Sequence, residues 1–174
     1  MKKFILTDET IEMFGVTLHR IKAVRSFGDV KEGDLGGFVE KEENISENFD
    51  AWVYGNAKVW GNAKVWDNAK VWDNAEVSGN AEVWGNAEVW GNAKVWGDAD
   101  YIVFKNWWSS GRYFTWTRSN NMWSVGCFYG TGKELIKKAY ADSEKSGREY
   151  ERVVKFVQSI LEDEKNDNNQ EKSL

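Results

Sequence analysis

The sequence predicts a mainly β chain organised around a short parallel β-solenoid. Three observations carry this: a six-residue phrase, N-A-K/E-V-W-G/D, runs almost unbroken from Ala51 to Asp98, its Ala and Val stand two residues apart, and Gly or Asp followed by Asn closes each unit. A unit this short holds one strand and one corner, so it buries nothing until it stacks on others of its kind. Ala recurs at Ala51, Ala57, Ala63, Ala69, Ala75, Ala81, Ala87, Ala93 and Ala99, and Val at Val53, Val59, Val65, Val71, Val77, Val83, Val89 and Val95. A spacing of two keeps both side chains on one face of a strand, pointing inward. Pairs such as Gly55-Asn56, Asp67-Asn68 and Gly91-Asn92 supply the positive φ that a tight corner needs. No helix fits between them.

The number of units per coil is readable from charge. Residues stacked on successive coils are cross-strand neighbours, where like signs are unfavourable. The outward residue between Ala and Val reads Lys58, Lys64, Lys70, Glu76, Glu82, Glu88, Lys94, Asp100. At a lag of eighteen residues four of five pairs are opposite, against three of seven at six, three of six at twelve and two of four at twenty-four. Eighteen residues, three strands per coil, is the expected circuit. Each exposed pair contributes only ~0.2 to 1 kcal/mol, enough to bias register and too little to hold the fold.

Val, then Trp, two variable residues, Ala and one more match the pattern [LIV]-x-x-x-[STAV]-x, and over residues 51–98 the chain resembles the hexapeptide-repeat left-handed parallel β-helix superfamily. The resemblance implies left-handed coiling and a triangular prism with about 18 residues per coil. The whole chain also looks like a group of phage and prophage hexapeptide-repeat proteins of unassigned function, through an opening "TLHRIKAVRSFGDVKEGDLGGFVEKEENIS" and a closing "VGCFYGTGKEL". The superfamily mixes acyltransferases, γ-class carbonic anhydrases and non-catalytic scaffolds, so the fold alone does not select an activity. Hexapeptide acyltransferases generally use a histidine base, and the carbonic anhydrases hold zinc with three histidines. This chain has one, His19, outside the repeat in the strand-like run "VTLHRIKAV", where a structural or solvent-facing role is expected. No metal and no cofactor are expected.

Composition sets outer limits. At 174 residues the chain fits one structural unit with appendages. A single Cys excludes an intramolecular disulfide and suits a reducing compartment, the cytoplasm of a bacterial host. The start "MKKFILTDET" lacks a signal peptide's apolar stretch, and nothing approaches the ~20 apolar residues of a membrane span. A formal charge of −5 argues against a nucleic-acid backbone binder.

Five segments are expected: a β cap over residues 1–50, the β-helix over 51–100, a β-meander over 101–130, helices over 131–163 and a disordered tail over 164–174. Strand-like runs Lys3 to Leu6 and Thr17 to Val24 precede a Gly-rich stretch leading into the first coil; together they cap strand edges that would otherwise stand unpaired. The meander reads as three strands, Tyr101 to Trp107, Arg112 to Ser119 and Met122 to Tyr129. A first helix starts at Thr131, with Glu134 completing a capping box, and ends near Ala141. The second, Ser146 to Glu162, puts Tyr150, Val153, Val154, Phe156, Val157, Ile160 and Leu161 on one broad stripe. The polar tail beyond has the composition of disorder. Gly130-Thr131-Gly132-Lys133 is similar to a phosphate-binding loop, yet that pattern needs Gly where Cys127 stands and Ser or Thr where Glu134 stands. It reads as a strand-to-helix turn, and Cys127 as a buried structural thiol.

The functional signal is the residue after each Val: Tyr54, Trp60, Trp66, Trp72, Ser78, Trp84, Trp90, Trp96. Alternation points it outward, and an eighteen-residue coil sorts it into three columns: Tyr54-Trp72-Trp90, Trp60-Ser78-Trp96, and Trp66-Trp84 with Ile102 above. Burying the six indoles is worth on the order of 1,000 Å² of apolar surface, whereas the largest exposed patch on an ordinary monomer is roughly 300 to 600 Å². Some columns must be covered. The C-terminal helices can fold back over one. The others suit self-association as a trimer or dimer, or a platform for a partner protein or a small nucleotide or sugar ligand. The expected function is therefore a non-enzymatic scaffold that self-associates and binds partners through Tyr54, Trp60, Trp66, Trp72, Trp84, Trp90 and Trp96. The phage-like resemblance implies a host or defence component as partner, a protein or a nucleotide signal. The alternative class is a hexapeptide-type acyltransferase lacking the usual histidine.

Overall fold

From Gly55 to Gly91 the chain turns at each Gly or Asp that follows the repeat's outward residue. In the computed structural model, which describes residues 2–171, Gly55, Gly61, Asp67, Asp73, Gly79, Gly85 and Gly91 all take positive φ, between 56° and 70°. Between these corners run eight two-residue strands: β4 (Trp52–Val53), β5 (Lys58–Val59), β6 (Lys64–Val65), β7 (Lys70–Val71), β8 (Glu76–Val77), β9 (Glu82–Val83), β10 (Glu88–Val89) and β11 (Lys94–Val95). They stack in parallel with Lys58 opposite Glu76, Glu76 opposite Lys94, Lys64 opposite Glu82, and Trp52, Lys70 and Glu88 in line. The circuit is eighteen residues, as the charges predict, and the solenoid makes about three turns.

Each coil is tied to the next by backbone bonds such as Lys58 N to Ala75 O (2.9 Å) and Trp72 N to Val89 O (2.8 Å). Repeat Ala and Val side chains from Ala51 to Val95 are fully buried in one continuous core. Ala99 breaks the series: the repeat ends in a short 3-10 turn, Asp98–Asp100, and its methyl is exposed. The ladder partners form ion pairs at Lys94–Glu76 (3.4 Å) and Lys64–Glu82 (3.9 Å), while Lys70 turns instead to Asp29 at 2.9 Å.

The lower end is closed by the N-terminal segment. The hairpin β1 (Phe4–Met13) and β2 (Val16–Ala23) leads to β3 (Leu35–Val39), which runs parallel to β5 and joins the first wall. Asn44 donates to Ala63 O at 2.8 Å, and Ile45 bridges Val65. Trp52 holds an outward position in the repeat yet is 1% exposed, because Phe4 and Phe27 pack edge-on against it at 6.1 and 5.4 Å. Lys3 is wholly buried beside them; its ammonium donates to Ala51 O at 2.8 Å and lies 4.9 Å from the Phe27 ring. His19 sits in β2 with Nδ1 3.2 Å from Thr7 O.

The upper end differs from expectation in four ways. The meander has four strands, β12 (Tyr101–Lys105), β13 (Tyr113–Thr117), β14 (Met122–Val125) and β15 (Phe128–Thr131). Gly126, at φ +58°, folds the expected third strand in two. Cys127 lies in that turn and is exposed, not buried, because turn side chains face solvent. Helix α1 (Gly132–Asp142) is capped as predicted, Thr131 Oγ1 accepting from Glu134 N and Glu134 Oε2 from Thr131 N. Helix α2 (Glu144–Glu171) overruns the expected boundary at 163: residues 164–171 are helical, held by Glu164 accepting from Arg118 at 3.1 Å and by Asn168 donating to Glu164 O. The rest of the expected disordered tail, 172–174, lies outside the described residues. Both helices pack on the meander, where Trp116, Trp123, Leu135, Tyr150, Val154 and Val157 form a second core shared with no repeat residue. They do not fold back over a prism wall.

Two predictions follow from this packing. Burial, reinforced by Arg25 and opposed by Glu47 and Asp50, lowers the Lys3 ammonium to a pKa of about 8. An unfolded chain keeps that proton to ~10.4, so between these values it binds more protons than the native state and stability rises with pH. Burial likewise raises the Tyr101 phenol to about 12, so above pH ~10 the unfolded chain loses that proton first and stability falls. Urea midpoints should climb from pH ~7.5 to ~9.5 in the native sequence and lose that climb in Lys3→Met. Reversing Glu82 to Lys should cost ~1 kcal/mol or less on urea unfolding, since the exposed Lys64 partner is screened by solvent.

Candidate binding faces

The three outward columns stand where the alternation puts them, but their surroundings differ. Tyr54, Trp72 and Trp90 stack with centroids 3.5 and 5.1 Å apart, and Tyr129 from β15 continues the pile at 6.5 Å. All four rings are half-buried. The Tyr129 hydroxyl donates to Trp90 O at 3.3 Å and accepts from Asn120. At the lower end Tyr54 donates to Asp29, which also takes the Lys70 ammonium. Burial works to raise the Asp29 carboxyl, but the bonds from Lys70 and Tyr54, with the backbone, outweigh it and hold the group below the usual carboxylate range. Burial first, and Asp29 after it, push the Tyr54 phenol far up. This column is finished internally at both ends.

The second column is interrupted. Trp60 is half-buried beside Phe14 of the β1–β2 hairpin tip, 6.3 Å away. Ser78 is 6% exposed between larger neighbours, and Trp96, at the top, is 62% exposed.

The third column is open. Trp66 and Trp84 stack at 5.8 Å and 27°, 38% and 53% exposed, and no element among the described residues roofs them. Lys64 and Glu82 flank the two rings on the same wall. Above Trp84 the column runs into the meander at a groove of about 640 Å³, walled by Trp84, Ile102 and Tyr113. The buried Tyr101 fixes its floor by donating to Glu82 O at 2.7 Å.

Sequence reasoning found all seven column residues and Ile102; it missed Tyr129, Asp29, Phe14 and Tyr113. Those four lie outside the repeat, so periodicity carries no signal for them. Among the described residues no cluster of His, Cys, Asp or Glu is arranged to hold a metal ion, and no helix is long and apolar enough to cross a membrane. No protein-family model and no curated protein matches this chain.

The contrast between columns is measurable as stability. Replacing Trp90 by Ala opens the middle of a closed stack and should cost ~2 kcal/mol or more on denaturant unfolding. Replacing Trp84 by Ala should cost ~1 kcal/mol or less when measured on the dilute single chain, its ring being half in water there.

Proposed function

We propose that this protein is a non-catalytic binding module that self-associates, as a dimer or trimer, through the wall bearing Trp66 and Trp84. The observation that carries this is the open column itself: two stacked indoles on one wall, continued by Ile102 and Tyr113, with no covering element among the described residues. Aromatic side chains at the centre of a patch, with charged residues at its margin, are the composition of an interface core and rim. Association is lateral, because the N-terminal segment and the meander cover the two ends of the solenoid.

Resemblance to hexapeptide-repeat proteins supports the reading, since such solenoids commonly resemble trimers packed through prism faces. The phage-like resemblance supports a further partner among host or defence components, in a bacterial cytoplasm. The Tyr54-Trp72-Trp90 column is a poor interface because Tyr129 and Asp29 already complete it.

Mass in solution tests the proposal. Light scattering should give a multiple of the chain mass of 20.0 kDa, and Trp66→Ser with Trp84→Ser should reduce it to that mass while far-UV circular dichroism stays unchanged. A native protein of monomer mass, or a double variant that still assembles, rejects this wall as the interface.

A further inference from the structure

The C-terminal unit holds a cleft that the prism walls do not use. It opens between the β14–β15 hairpin, the loop before β13 and the corner where α1 meets α2, and encloses about 360 Å³. Its inner wall is a buried polar cluster. Asn106, 4% exposed, donates to Ser109 Oγ at 2.9 Å and to the Tyr150 hydroxyl at 3.1 Å, and its carbonyl oxygen accepts from Ser109 N. Asn106 is thereby satisfied.

Tyr150 is not. It is 7% exposed, its ring is fixed edge-on by Trp108 at 4.9 Å and Phe114 at 5.2 Å, and its oxygen accepts from Asn106. Its own O–H finds no acceptor among the described residues. A tyrosine hydroxyl can donate as well as accept, and Tyr150 borders the cleft, so its proton is available to a ligand there. Burial also raises this phenol, so the proton stays in place at neutral pH. The cleft is lined further by Arg112 and Lys138, neither in an ion pair among the described residues. The Arg112 guanidinium lies against Gly126 of the hairpin turn. Asp142 is the single acid on the lining, and Val125, Phe128 and Leu135 make one side apolar.

We propose that this cleft binds a small organic carboxylate with an apolar body. The carboxylate oxygens accept from the Tyr150 hydroxyl and from the Arg112 and Lys138 side chains, pairing charge with charge and filling the unused donor. The body lies on Val125, Phe128 and Leu135. Two cations and one acid leave a single net positive charge on the lining, which favours a monoanion over a phosphate. The site is independent of the Trp66–Trp84 wall.

Cys127, the chain's single thiol, is exposed on the cleft lining and reports on occupancy. With benzoate and isovalerate as probes, alkylation of Cys127 by iodoacetamide should slow saturably and the melting temperature should rise. Tyr150→Phe keeps the ring packing and removes only the donor, so it should weaken binding about tenfold with near-UV circular dichroism unchanged. Arg112→Gln should weaken it at least as much, and Trp66→Ser with Trp84→Ser should leave it as it is. No protection by either probe at ~10 mM, native affinity in Tyr150→Phe, or equal protection by inorganic phosphate would each overturn the proposal.

Discussion

The backbone hydrogen bond between one coil and the next is the interaction on which the rest of the structure depends. A two-residue strand has almost no stability of its own, and these eight gain theirs from bonds such as Lys64 N to Ala81 O, repeated up all three walls. The register so fixed stacks Val on Val inside and ring on ring outside. The indole columns are a consequence of the ladder: once Val71 sits above Val53, Trp72 has no place but beside Tyr54.

A ladder of this kind ends in unpaired groups, and both termini of the chain are committed to covering them. Below, this takes β3, Asn44, Ile45 and the buried Lys3, whose ammonium is accepted into an apolar site in order to meet the carbonyl of Ala51. Above, the meander supplies side-chain acceptors: Thr115 Oγ1 takes the Glu88 N–H at 3.0 Å and Ser119 Oγ the Lys94 N–H at 2.7 Å. Tyr129, from the same unit, completes one ring stack. The cap therefore decides which column is closed, and by omission which wall stays free.

What was legible in the sequence follows this division. The repeat announces its own geometry, so the corners, the inward Ala and Val, the eighteen-residue circuit and the direction of every column residue could be read from spacing and charge. Capping chemistry was legible too where it is local, as at Thr131 and Glu134. Contacts between the repeat and its caps were not. Trp52 sits in a slot that elsewhere holds Lys or Glu, and only Phe4 and Phe27, distant in sequence, bury it. Cys127 looked apolar enough for a core, but a glycine with positive φ beside it made a turn. Residues 164–171 have the composition of a tail, yet an ion pair to Arg118 in the meander continues the helix through them. Composition describes a segment alone, and each of these outcomes is set by a partner elsewhere.

Closure after three hexads has a further consequence for how such a chain changes length. Loss or gain of eighteen residues removes or adds a whole storey and leaves every column on its own wall. Loss of six would rotate everything above it by a third of a turn, carrying Trp84 off the wall of Trp66 and setting the upper cap against the wrong stack. Size in this architecture is quantised, and the unit of inheritance is the storey, not the hexad.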